Sequence, residues 1–163
     1  MYRKLLKLLH EVGAVGVMGA LAAYIVLVAT APQDSLVEYA AVRRGIAALT
    51  QYLLLPSLVL VLVSGLLAIA ATRAYMDQGW PWLKALSTVA MFEGTLLTVN
   101  ASARKAAEIS ALAAASGDAD PALLEPILRT EWIGLWTILA LSFANILVAV
   151  WRPRFRRRSA SAG

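Results

Sequence analysis

Cysteine is absent from the 163 residues, which removes disulfides, thiolate metal sites and the Cys-x-x-Cys-His attachment of a c-type haem. Histidine occurs once, at His10, and methionine four times, too few soft ligands for a dedicated copper carrier. No paired carboxylates, catalytic serine setting, glycine-rich phosphate loop or histidine-rich metal motif can be read from the chain, so the usual hydrolytic and phosphoryl-transfer chemistries lack their residues. Charge is scarce over long distances. Val12 to Ala31, Gly45 to Ala71 and Trp132 to Trp151 carry none, and Ala85 to Ala103 carries only Glu93.

A hydrocarbon core about 30 Å thick needs roughly 20 apolar helical residues, and each of these four stretches supplies about that many. The 60% hydrophobic content and the mean hydropathy of +0.70 agree. A soluble bundle would instead alternate polar and apolar faces along each helix. Expected, therefore, is an all-α membrane protein: one domain over residues 1–158, an antiparallel bundle of four transmembrane helices, and a disordered tail at 159–163. Tyr2-Arg3-Lys4 and Lys7 ahead of an apolar stretch ending Ala29-Thr30-Ala31 imitate a cleaved secretory leader. The stretch is too long for one and Pro32 sits where cleavage would fall, so the first run is expected to stay as a span.

An even number of spans puts both termini on one side, and lysine and arginine decide which. With the N-terminus inside, the inner segments hold Arg3, Lys4, Lys7, Arg73, Lys84, Arg152, Arg154, Arg156, Arg157 and Arg158, ten against five for Arg43, Arg44, Arg104, Lys105 and Arg129 outside. Both ends are expected in the cytoplasm, with the plasma or bacterial inner membrane as location. The basic tail from Arg152 directly follows a span, where such clusters meet anionic headgroups; lipid, not nucleic acid, is its expected partner.

Helices 2 and 3 are expected to project beyond the outer face. Ser35-Leu-Val-Glu38 reads as a capping box opening helix 2, which then runs from about Leu36 to Thr72 with a kink near Pro56. Trp80-Pro81-Trp82 places proline in the first turn of helix 3 with two indoles in the headgroup zone. The alanine-rich stretch after Asn100 carries this helix on to Gly117, a C-terminal cap. Asp120-Pro121 announces helix 4, and Pro126 is expected to separate a short interfacial turn from the span proper.

Ionisable residues at membrane depth are costly enough to be functional candidates. His10 lies less than one turn beyond Lys7 and reads either as a polar anchor at the interface or as a ligand. Gly13, one turn along, leaves room for a flat ring or, with Gly16 and Gly19, serves close helix packing. On a common depth scale His10, Ser64, Gly65, Thr88, Met91 and Asn145 share the cytoplasmic third. Met91 is the thioether nearest in depth, so iron in this layer would take His10 with Met91, or His10 from two protomers. Glu93 lies about 12 Å into the third span at 1.5 Å per residue. Asn100, Arg104 and Glu108 return to nearly its face, an expected buried polar stripe that either holds the bundle together or forms a proton or quinone site.

Lys4-Leu-Leu-Lys-Leu-Leu-His10 with Gly13 and Gly19 resembles the Lys-x-x-His start of the copper-resistance D proteins and of the J-type protoporphyrinogen oxidase. Leu55-Pro56-Ser-Leu-Val-Leu-Val-Leu-Val-Ser64-Gly65, Pro81-Trp82-Leu83 and Trp132-Ile-Gly-Leu-Trp136 look more like the bacterial integral membrane family called domain of unknown function 2269, over essentially the whole chain. The resemblance implies a four-helix fold and a haem-ligand position at His10. The expected function is binding of b-type haem through His10 for electron transfer or a haem-dependent redox step, with a homodimer or a membrane redox complex as partner. A cofactor-free accessory or assembly subunit is the alternative, and a porphyrinogen oxidase the third reading.

Overall fold

The computed structural model describes residues 2–72, 76 and 78–151, and among them every regular element is a helix. Arg73, the basic tail and the expected disordered end at 159–163 lie outside the described residues. Helix α1 is Tyr2–Ala29 and α2 is Leu36–Ala70. Helix α3 covers 79–116, and α4 is Pro121–Trp151. By length and composition α1, α2 and α4 could each cross a membrane. Helix α3 falls short of that mark because Glu93, Asn100 and a run of hydroxyl side chains interrupt its apolar sequence.

Local chemistry sets the ends. The Ser35 hydroxyl accepts a hydrogen bond from the Glu38 N–H at 3.3 Å, satisfying one orphan amide of the first turn of α2. Gly117 closes α3 at φ +75°, a left-handed conformation that a Cβ would strain, and its N–H reaches Ala113 O at 2.9 Å. Asp120 caps α4 by accepting from the Ala122 N–H at 2.9 Å, with Pro121 in the first turn, where no N–H is needed. Helix α4 then continues through Pro126 without a break, which corrects the expected separation of an interfacial turn. Pro126 stands near the helix start, and the packed residues Ile127, Leu135 and Ile138 beyond it hold the remaining turns in line.

Helices α2 and α3 each contain a wide π turn, Thr50–Leu54 and Thr95–Asn100. The Leu55 N–H reaches back five residues to Thr50 O, so the backbone loosens just ahead of Pro56, whose ring would press on a carbonyl in a tight α turn. The irregularity expected near Pro56 takes this form. Threonine hydroxyls serve the carbonyls at both places: Thr50 Oγ1 donates to Ile46 O at 2.9 Å, Thr95 Oγ1 to Met91 O at 2.7 Å and Thr98 Oγ1 to Gly94 O at 2.6 Å.

Packing is by interlocking small and large groups. Helix α1 lies on the C-terminal half of α2, the N-terminal half of α2 on the C-terminal half of α3, and α4 along both halves of α3. A Cβ on Gly13 would stand 2.8 Å from Val61 Cγ2, and one on Gly16 would collide with the Ser57 hydroxyl. These two glycines thus set the close approach of α1 to α2, whereas Gly19 faces open space. Val17, Leu21, Leu54, Leu58, Val99, Leu135 and Ile138 fill the centre.

Candidate functional site

Where the first half of α1, the end of α2, the start of α3 and the end of α4 meet, they line a half-open cavity of about 630 Å³. That lies within the range of small-molecule sites, about 300–1,000 Å³. Its walls are chiefly apolar. His10, Gly65, Lys84, Thr88, Met91, Ser142 and Asn145 line it, with Arg3, Lys7 and Glu11 among the charged residues of its wall.

The α1 helix carries His10 against α2, where its Nδ1 lies 3.1 Å from Val61 O and 3.2 Å from Ser64 Oγ. A carbonyl only accepts, so Nδ1 bears the hydrogen. Ser64 Oγ donates its own hydrogen to Leu60 O at 2.5 Å and is free to accept. Nε2 is then the nitrogen with the lone pair, the tautomer that a main-chain carbonyl imposes on metal-binding imidazoles. A Cβ on Gly65 would rest 3.5 Å from His10 Cε1, so this glycine backs the ring edge. Across the cavity Met91 is buried, and its sulfur accepts from Asn145 Nδ2 at 3.4 Å. Ser142 Oγ is buried there without a partner.

Of the residues singled out by depth, the structure gathers His10, Gly65, Thr88, Met91 and Asn145 around one cavity and puts Ser64 directly behind the imidazole. Gly13 does not belong to the wall; its contact with Val61 and Ser57 makes it a packing residue, which corrects its placement beside a ligand. The expected buried stripe is corrected too. Glu93, Arg104 and Glu108 are exposed and Asn100 is half-buried, its Oδ1 enclosed and unpartnered. The inward face of α3 is instead Thr88, Met91, Thr95, Val99, Ala103 and Ala106.

A second polar centre, unanticipated, lies toward the other end of α1. Arg43 is 1% exposed and Glu131 fully buried. One guanidinium nitrogen of Arg43 donates to both Glu131 oxygens, at 2.8 and 3.0 Å, and the Tyr24 hydroxyl donates to Oε1 of the same carboxylate. Three helices are joined at one carboxylate. Periodicity carried the signal, since Ala40, Arg43, Ile46 and Thr50 recur on one face of α2, and Ile127, Glu131, Leu135 and Ile138 on one face of α4. Arg43 is counted above among the outer segments, and Glu131 stands one residue ahead of the span expected from Trp132.

Among the described residues no group of three histidine, cysteine, aspartate or glutamate side chains could hold a metal ion. No family model, curated protein or solved structure matches the chain.

Proposed function

We propose that the protein is a four-span antiparallel membrane bundle, termini in the cytoplasm, whose cavity binds a b-type haem through His10. The haem serves electron transfer or a haem-dependent redox step. The observation that carries the reading is the Val61 carbonyl on His10 Nδ1, which holds the imidazole in the tautomer suited to iron. Further features suit the group: an apolar cavity of adequate size, a buried Met91 thioether steered by Asn145, and the unpartnered Ser142 hydroxyl. Arg3, Lys7 and Lys84 supply positive charge for the carboxylates of a porphyrin.

When bound, haem supplies one-electron redox chemistry. This chain's residues would hold and tune it: His10 and Met91 would hold the iron, and the α2 carbonyl would raise imidazole basicity. Trp80 and Trp82 at the start of α3 suit a headgroup boundary and support α3 as the fourth span despite Glu93.

The absorption spectrum of the detergent-purified protein from haem-replete cells tests this. A Soret band is expected, abolished in His10→Ala and retained with altered visible bands in Met91→Leu. A colourless preparation, or a His10→Ala spectrum unchanged from the parent, would overturn the proposal in favour of a cofactor-free accessory subunit.

A further inference from the structure

This inference rests on α3 being the fourth span proposed above; for a surface in lipid, its outward face is unusual. Leu86, Leu97 and Leu112 are among the most exposed large side chains of the molecule, at 68%, 76% and 71%. Between and beside them Glu93, Arg104 and Glu108 are equally turned away from the bundle. None of the three forms an ion pair among the described residues, although Arg104 and Glu108 stand one helical turn apart. A carboxyl group facing hydrocarbon without a partner is expensive, and such groups almost always face protein or a water-filled cavity. Beside Glu93, Gly94 meets nothing within 4 Å of where a Cβ would stand, so the helix surface is bare enough for another helix to approach closely.

We infer that this face of α3 is covered by the same face of a second copy of the chain, the two related by a two-fold axis along the membrane normal. Such an axis brings residues of equal depth together and makes the contact self-complementary. Glu93 meets the partner's Glu93 across the axis, one carboxyl donating to the other, which removes both from lipid. One turn of offset then lets Arg104 pair with the partner's Glu108, and the reverse pair follows by symmetry. Positive meets negative at both ends of that contact. An antiparallel pairing would need the two copies to lie in opposite orientations in the membrane, against the lysine and arginine distribution. The exposed leucines supply the contact area between these polar points.

The absence of cysteine makes the test clean. In native membranes treated with a mild oxidant, Leu97→Cys is expected to form a disulfide-linked dimer, while Val15→Cys on α1 and Ile133→Cys on α4, comparably exposed, stay monomeric. Adding Glu93→Ala to Leu97→Cys should lower the cross-linked fraction about tenfold, the weight of an interhelical hydrogen bond in lipid, and Glu93→Gln should largely restore it. Arg104→Glu alone should weaken the dimer, and Arg104→Glu with Glu108→Arg should recover it. Equal cross-linking at all three cysteines, none at Leu97→Cys, or linkage of Leu97→Cys to a different protein would each overturn the proposal. Because Glu93→Gln keeps side-chain size and the charge exchange keeps the composition of the pair, their recovery separates a contact from a folding defect.

Discussion

Arg43 and Glu131 show how unequal the two halves of a buried ion pair are. A carboxylate left alone in the interior can take up a proton and become neutral, whereas a guanidinium cannot shed its charge. Glu131→Gln should therefore be the more damaging single change, costing about 3–5 kcal/mol as expected for an uncompensated buried charge; Arg43→Met should cost less. Removing both charges in Arg43→Met with Glu131→Leu should recover much of the loss, because well-packed apolar groups replace buried pairs at little penalty. Unfolding of the three variants in mixed detergent micelles checks the order. A double variant less stable than Glu131→Gln would mean that the pair contributes net stability beyond mutual neutralisation. Neither partner could be placed from sequence by type alone: a charge near a span end announces polarity, and only the period of its neighbours gives its direction.

At the scale of helices, most of the architecture was legible. The four long helices, the Ser35 and Asp120 caps and the stop at Gly117 all follow from local chemistry that tertiary contacts do not override. The direction of the α3 face was not legible. In a soluble protein the polar side points outward, but in a membrane both sides of a helix are apolar, so Glu93, Asn100 and Arg104 defined a face without saying which way it turned. Pro126 was misjudged for a related reason, since proline near a helix start removes little and the packed turns beyond it restore the axis. A close joint between α3 and α4 is Gly134, where a Cβ would stand 2.6 Å from Thr98 Oγ1 and 3.0 Å from Val99 Cγ2. Gly134→Val should force those helices apart and destabilise the protein by about 1–3 kcal/mol, the usual range for overpacking. Gly19→Val, with open space beside it, should cost little more than propensity. Thermal unfolding of the two in the same detergent compares them directly, and equal losses would dissociate the close approach from stability.

For the molecule as a whole, polarity is divided between two levels. The cavity with His10 lies near the start of α1, and the Tyr24–Glu131–Arg43 cluster lies 14 residues further along the same helix, about 21 Å at 1.5 Å per residue. Apolar side chains such as Val17, Leu21, Leu54 and Leu58 fill the interval. A span laid out in this way has one end that can take a ligand and one end that is tied shut, so its orientation decides from which side the cavity is reached. In the topology proposed above from the lysine and arginine split, the cavity with Arg3, Lys7 and Lys84 on its wall opens toward the cytoplasm. A reporter fused after Gly163 should then be active only in the cytoplasm, and one inserted at Gly117, in the turn between α3 and α4, only outside. If α3 did not cross, the Gly117 reporter and the start of α3 would share a side, and a second insertion at Gln78 separates that case. With α3 crossing, Gln78 and Gly117 report opposite sides; without it they agree. Agreement would remove the fourth span and leave the Lys84 side of the cavity outside the bilayer, against the membrane bundle proposed above.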